Sequence, residues 1–327
     1  MVQADKQAAL IHYHWSVIIV TYQSADVIGP CLSSVLEAIA YYEKQLHITN
    51  QCQVIVVDSA STDGTPAKVR SFPSVALLVS SVNLGYSGAV NWGFRKALGR
   101  WVLILNPDCV IDRRSLFVLA KVFQCYPDAG VLGLHLRNAD SSFQPSGRLF
   151  PTFFNFIASL FLPKKMMVVK SFRGRSFAEV EEVDEVSGAA FAVVRDLFNK
   201  GRLMDESFFL YFEDIDLCRR ARNRGFRVFW VRDAVAVHRW GASTEKASGI
   251  AQAAFLDSAI KYSERYHGKM SAFLVRGALI VRYLLRVYRR RPSPQETWLC
   301  WQVLLRRGIP FRSLVTKLTG FGADSIS

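Results

Sequence analysis

The segment VIVVDSASTDGT (54–65) runs through four β-branched residues to Asp58 and then turns small and polar. A carboxylate at the end of a buried strand is costly unless donors meet it. Asp58 either caps the following turn, where Ser59, Ser61, Thr62 and Gly64 supply amides and hydroxyls, or it accepts the ring N–H of a pyrimidine base. LILNPDCVI (103–111) offers a second acid, Asp108, just past Pro107. The proline ends the strand, since it cannot donate to the ladder. Asp108, two residues after Asn106, suits a divalent cation against a diphosphate, because hard oxygen ligands suit Mg or Mn. The alternative is a helix cap, for which Asp112 is better placed. FFLYFEDIDLCRR (208–220) crowds Glu213, Asp214 and Asp216 into four residues. Acids this close repel, which raises a carboxylate pKa and favours base chemistry. Asp216 points away from Asp214 and pairs with Arg219 or Arg220 as a brace. AVAVHRWG (234–241) ends an apolar strand on His238, either a hydrogen-bonded structural residue or a metal ligand opposite Asp108. NLGYSGAVNWG (83–93) places Gly85 and Gly88 at a strand-to-helix turn, where free N–H groups favour anions. A purely structural turn explains that stretch equally well.

The elements that must position these residues alternate. Strand patterns at 15–24, 52–61, 75–83 and 100–108 are separated by helical spacing at 27–46 and 87–99 and a short helix after Pro66. Strands apolar on both faces and interleaved with helices belong in a parallel sheet covered on both sides, an α/β fold. Such sheets bind ligands at the carboxyl ends of their strands. Thr21, Asp58, Asn83 and Asp108 all stand at those ends, so four strands deliver polar groups to one edge. Beyond residue 140 the pattern changes. Residues 141–165 are aromatic and proline-bearing, 169–186 read as a charged mobile loop, and 186–198 as a strand then a helix. Residues 208–225 read as a helix with acids early and arginines late, as the dipole favours, and 226–240 as one or two strands.

The net charge is +14, and its location is informative. From Lys269 to Lys317 there are eleven Lys and Arg against one acid, Glu296. A nucleic-acid binder spreads its basic face over the binding fold; here a cationic appendage follows a nearly neutral body, and no nucleic-acid partner is expected. Residues 270–291 form an amphipathic helix with Phe273, Leu274, Val281, Leu284, Leu285 and Tyr288 in one arc and Arg276, Arg282, Arg286, Arg289 and Arg290 opposite. This suits an anionic membrane surface, with 295–307 as a second such element. An ordinary packed helix with a solvated basic face is the alternative. The start lacks the basic, apolar and small-residue sections of a signal peptide, and no apolar run is long enough to span a bilayer. Six scattered cysteines, none in a CxxC pair, read as reduced buried thiols rather than a disulfide frame or zinc site.

Taken in order, VIIVTYQS, VVDSASTDGT, NLGYSGAVNWG, NPD, SGAAF, FFLYFEDIDLCRR and VHRWG resemble a family 2 glycosyltransferase with the GT-A fold, and are similar in particular to the bacterial rhamnosyltransferase-like branch that builds surface polysaccharides. The likeness covers roughly residues 14–245. It implies a GT-A catalytic domain at 1–245 (donor half about 14–110, acceptor half 111–245), followed by a basic helical region at 246–327. It further implies inverting transfer from a dTDP- or UDP-sugar to a saccharide or polyprenyl-linked acceptor, at the cytoplasmic face of the membrane. Carried over residue by residue, Thr21 and Tyr22 lie against the nucleoside and Asp58 holds the base. Asn83 and Gly85 lie near ribose and phosphates. Asp108 and His238 bind Mg or Mn, Asp214 is the catalytic base, and Glu213 orients the acceptor. Asn106 stands where the family's DxD motif has its first acid. A nucleotidyltransferase would want a basic glycine-rich loop after the first strand, and TYQSADV is not one. A non-catalytic sugar-nucleotide-binding module would be expected to have lost the acid at 108 or 214.

Overall fold

The computed structural model describes residues 13–161, 179–198, 201–239, 248–290, 292–305 and 310–319. Its strands are β1 (Trp15–Thr21), β2 (Cys52–Ser59), β3 (Val75–Ser80), β4 (Trp101–Leu105), β5 (Cys109–Ile111), β6 (Ala129–Arg137), β7 (Phe143–Gln144), β8 (Gly147–Arg148), β9 (Val180–Glu182), β10 (Glu185–Val186), β11 (Ala190–Val194) and β12 (Arg227–His238). The helices are α1 (Ile28–Leu46), α2 (Thr65–Arg70), α3 (Gly85–Lys96), α4 (Ser115–Cys125), α5 (Phe153–Phe161), α6 (Glu213–Arg222), α7 (Ser248–His267), α8 (Lys269–Arg290), α9 (Pro294–Leu305) and α10 (Phe311–Thr319).

The main sheet runs β3-β2-β1-β4-β11-β6-β12-β5, with β7 on β6 and β9 on β12. Every residue of β1 and β4 is buried, as continuous apolar runs require when helices cover both faces. Each buried Val or Ile contributes about 1.5–3 kcal/mol. β3 is an edge strand and stays partly exposed. The first four strands of the order are parallel, but β11 is antiparallel to both β4 and β6. That reversal brings the start of β11, residues 188–190, to the carboxyl end of β4. β12 is one strand with a register break between Val231 and Val235, beyond which it pairs with β5 so that His238 faces Cys109.

Several expected elements differ. Residues 208–212 are not helical: Tyr211 and Phe212 take left-handed φ values of 70° and 66°, and the helix starts at Glu213. Five aromatic and leucine side chains there seek the core rather than a helical face. The helix expected after β11 is a single 3-10 turn, Arg195–Leu197. Within the expected loop at 169–186, residues 180–182 and 185–186 are strands, while 169–178 lie outside the described residues. Of the cysteines, Cys125 is exposed and Cys52 half-buried; the other four are buried.

The C-terminal helices share an apolar core with Phe156 of α5 and with Phe208, Phe209 and Phe212. α8 packs inward through Ala272, Val275, Leu279 and Tyr283. The arc singled out in the sequence is on its outside: Phe273, Leu274, Val281, Leu284 and Leu285 are about half exposed, and Tyr288 is 90% exposed. Two of the arginines grouped opposite that arc instead meet α9. Arg276 donates to the Val303 and Leu304 carbonyls, closing the helix end, and Arg286 pairs with Glu296 at 3.2 Å. Among the described residues no helix is long and apolar enough to cross a membrane.

Candidate active site

At the carboxyl edge of the sheet lies a cavity of about 370 Å³. Asp108, Glu213, Asp214, His238, Asn83, Gly85 and Tyr22 all line it. A larger hollow of about 730 Å³ opens among the C-terminal helices, yet of the site residues expected from the sequence none lines it.

Thr21 and Asp58 lie beneath the wall, both fully buried and paired in register. Asp58 accepts the Thr21 hydroxyl at 2.7 Å through Oδ1 and the Ser61 amide at 2.9 Å through Oδ2. It therefore stitches the ends of β1 and β2, and Tyr22, Ser24 and Ser59 present the polar surface above it. Asn83 Oδ1 accepts the Gly85 amide at 2.9 Å, and the Ser59 hydroxyl accepts the Leu84 amide at 2.8 Å. Gly85 has φ +69°, and a Cβ there would stand 2.6 Å from the Phe209 ring and 2.7 Å from its carbonyl oxygen. Only glycine fits both demands. Gly88 makes room for a guanidinium, since a Cβ there would collide with Arg312. Arg312 donates to the Leu84 carbonyl at 2.8 Å, so α10 braces the turn that lines the cavity.

Asp108 and His238 face each other with Oδ1 and Nε2 3.4 Å apart, both residues buried. Asp108 Oδ1 has no hydrogen-bond partner. His238 Nδ1 meets Gln144 Oε1 at 3.0 Å, and the tautomer that donates from Nδ1 to that oxygen has its Nε2 lone pair toward Asp108. An unsatisfied carboxylate oxygen opposite an imidazole lone pair is a donor set that fits a divalent cation. The Cys109 sulfur lies within 4.8 Å of both. Burial, then the Asp108 charge, hold that thiol well above its ordinary range, and it contacts the Ala189 carbonyl at 3.4 Å. A protonated thiol is a poor ligand for hard cations, so the carboxylate and imidazole are the fitting pair.

Across the cavity, Asp214 Oδ2 accepts the Gly188 amide at 2.8 Å. Burial, then the neighbouring Asp214 charge, push the Glu213 carboxyl well above its usual range, and its Oε2 is buried without a partner. The two adjacent acids thus differ: Glu213 is pushed toward a carboxylic acid able to donate a hydrogen bond, while Asp214 is oriented by the Gly188 amide. Asp216 is fully buried and turned away, accepting Arg220 Nε at 2.6 Å, Arg265 Nη1 at 2.7 Å and the Tyr266 hydroxyl at 2.7 Å. The expected brace is made with Arg220, and it also ties α6 to α7. Arg219 instead stacks on Phe150 and donates to Tyr262.

Residues 16–183 match the sequence profile of glycosyl transferase family 2. The chain belongs to that family. Over 302 residues it is 30% identical to the N-acetylglucosaminyl-diphospho-decaprenol L-rhamnosyltransferase of Mycobacterium tuberculosis, covering 84% of this chain and 95% of that protein. It is 31% identical over 147 residues to rhamnosyltransferase WbbL of Escherichia coli K12, covering 44% of this chain and 54% of that one. The mannosyltransferase PcManGT from Pyrobaculum calidifontis, solved with GDP-Man and Mn2+, superposes with a TM-score of 0.53 at 21% identity, covering 94% of this chain and 84% of that one. That likeness is one of fold. The protein is a glycosyltransferase with the GT-A fold, rhamnosyltransferase-like, as the sequence motifs imply.

Several groups of the transferase's cavity escaped sequence reading. Ser59, Ser187 and Tyr86 lie inside named motifs but were not among the expected site residues, and the Tyr86 hydroxyl donates to the Gly188 carbonyl at 2.7 Å. Arg148, Leu210, Tyr211, Ile250 and Ala251 also line it. Ile250 and Ala251 belong to α7, so the helical region contributes part of the wall.

Proposed function

We propose that this family 2 glycosyltransferase moves a sugar, L-rhamnose by likeness to its relatives, from a dTDP- or UDP-sugar to a saccharide or polyprenyl-linked saccharide, with inversion. Its place is cell-surface polysaccharide synthesis. The observation that carries the reading is that Asp108 and Asp214, from segments a hundred residues apart, open on one cavity of a size that takes a sugar diphosphate. Tyr22, Asn83 and Gly85 form the nucleoside and phosphate side, with Asp58 and Thr21 fixing the strand ends beneath.

Asp214 removes the proton from an acceptor hydroxyl, and that oxygen attacks the anomeric carbon from the face opposite the leaving group. One glycosidic C–O bond forms as the bond to the diphosphate breaks, which inverts the centre. The Gly188 amide holds the Asp214 carboxylate in orientation, and a protonated Glu213 donates to an acceptor oxygen. Asp108 and His238 would hold Mg or Mn, which when bound supplies positive charge against the departing diphosphate. Asp214→Asn keeps an acceptor oxygen for Gly188 but no base. Transfer should fall about 10²–10⁴-fold, while thermal stabilisation by dTDP- and UDP-sugars with Mn or Mg survives. Turnover near wild type in that variant would refute the assignment.

The catalytic part is taken as residues 1–245, and 246–327 as a region that docks on the cytoplasmic face of an anionic membrane, where a lipid-linked acceptor resides. The exposed apolar arc of α8 supports this. Full-length protein should co-sediment with anionic vesicles, and a variant with Phe273, Leu284 and Tyr288 all changed to Ser should not. Equal binding by both removes the membrane role.

A further inference from the structure

The cavity carries a charge problem that the residues discussed so far do not solve. Its wall holds Asp108, Glu213 and Asp214, and the proposed donor brings a diphosphate with two or three negative charges of its own. Among the described residues of the wall, Arg148 is the single Arg or Lys. It is not a loop residue that drifted in. β8 pairs with β10 so that Arg148 stands opposite Glu185, and the Asp184 amide donates to the Arg148 carbonyl at 3.0 Å. Two residues earlier, the Ser146 hydroxyl donates to the Leu134 carbonyl at 2.8 Å and accepts the Trp230 indole N–H at 3.0 Å. The backbone beneath the arginine is therefore fixed from three sides.

The side chain is held far less firmly. Nη1 is 3.5 Å from Glu185 Oε1, the outer limit of a hydrogen bond, and Nη2 donates to the Pro145 carbonyl at 3.2 Å. Most of the five guanidinium donors are uncommitted by these two contacts. Burial pushes the Glu185 carboxyl up to about 8, against the pull of Arg148 and with a further push from Asp214. At neutral pH Glu185 is then mainly a neutral acid and not a full counter-charge for Arg148. A cation of this kind, on a rigid platform and facing a pocket of acids, is arranged for an anion that arrives with the substrate. The planar fork of arginine matches two phosphate oxygens at once.

We propose that Arg148 is a substrate-binding residue that grips phosphate oxygens of a diphosphate in the active cavity. This rests on the glycosyl-transfer reading and names a contact it lacks. The diphosphate has two possible sources, the nucleotide of the donor and the linker of a lipid-diphosphate acceptor.

Binding of UDP and dTDP, and of uridine and thymidine, is measured by calorimetry with Mn2+ on the full chain as wild type, Arg148→Ala and Arg148→Lys. Acceptor KM is measured with one saccharide on a diphosphate linker and on a neutral alkyl group. If the donor supplies the anion, Arg148→Ala weakens nucleoside diphosphates at least tenfold, leaves nucleosides unchanged, and Arg148→Lys recovers part of the loss. If the acceptor supplies it, nucleoside diphosphate affinity is unchanged and KM rises at least tenfold for the diphosphate-linked acceptor alone. Should Arg148→Ala fail to fold, Arg148→Gln, which retains a donor to Pro145 without the charge, takes its place in every comparison. Wild-type affinities and KM values in the uncharged variant overturn the assignment, as does equal weakening of nucleosides and nucleoside diphosphates. A wild-type chain that binds no nucleoside diphosphate and turns over no sugar nucleotide sinks the glycosyl-transfer reading and this inference with it. Normal wild-type turnover alongside an unaffected uncharged variant sinks this inference alone.

Discussion

Removing the Asp216 carboxylate tests whether the C-terminal helices hold the catalytic helix in place. Asp216 is fully buried, two residues after Asp214, and it accepts from Arg220, Arg265 and Tyr266. Breaking a buried charge pair by deleting one partner costs about 3–5 kcal/mol, because the other charge is left uncompensated. Here both orphaned guanidinium groups keep other partners. Arg220 still donates to the Leu203 carbonyl at 2.8 Å, and Arg265, about a third exposed, still meets Asp205 at 2.7 Å. The lower end, about 3 kcal/mol, is therefore expected for Asp216→Ala. At roughly 2–4 °C per kcal/mol for a chain of this order, Tm should drop by about 6–12 °C. The functional effect follows from geometry: α6 loses its tie to α7, and Asp214 at its start loses alignment with Gly188. Well below the new Tm, kcat should fall while nucleoside diphosphate affinity, which the proposed function sets on the opposite wall, changes little. Differential scanning fluorimetry and steady-state kinetics measure both. A variant with wild-type Tm, or one that loses stability with kcat intact at low temperature, would refute the coupling between this brace and the base.

Arg312→Ala removes the α10 contact to the Leu84 carbonyl, so donor KM should rise several-fold with little change in acceptor KM; an unchanged donor KM would mean the turn holds itself. Glu185 has its carboxyl raised to about 8, so the folded state binds a proton that the unfolded chain releases near its ordinary range. Its contribution to stability is present at low pH and lost as pH rises from about 4.5 through 8. Glu185→Gln should flatten that decline in Tm, and an identical pH profile would count against the buried acid. His238→Ala should weaken Mn2+ binding at least tenfold by calorimetry, whereas Cys109→Ser should leave it unchanged; a loss in the serine variant would bring the thiol into the donor set.

Much of the carboxyl edge of the sheet was legible because its signals are local. Asp58, Asn83 and Asp108 each follow a continuous apolar run, and strand ends in a parallel sheet share one edge whatever the loops do. The roles of individual side chains there were less legible. Asp58 could be placed at the edge, but its engagement with both Thr21 and Ser61 depends on how β2 sits in register with β1. The sequence left Gly88 between an anion-binding turn and a purely structural one; its smallness admits Arg312, which lies 224 residues further on. No pattern within a helix or strand could announce that.

By itself the sequence determined the alternating α/β frame, the edge where polar residues gather, the family, and the amphipathic pattern of α8. Each follows from the period of hydrophobic residues or from short ordered motifs, which the chain carries along its length. Only the tertiary structure decided the reversed β11 that carries Gly188 to Asp214, the break in β12 that turns His238 toward Asp108, and the long-range pairing of β8 with β10 that sets Arg148 into the cavity. It also decided that Arg276 and Arg286 face α9 rather than water. These depend on strand direction, register and helix docking, which are settled by long-range packing between segments whose separation along the chain carries no local signal.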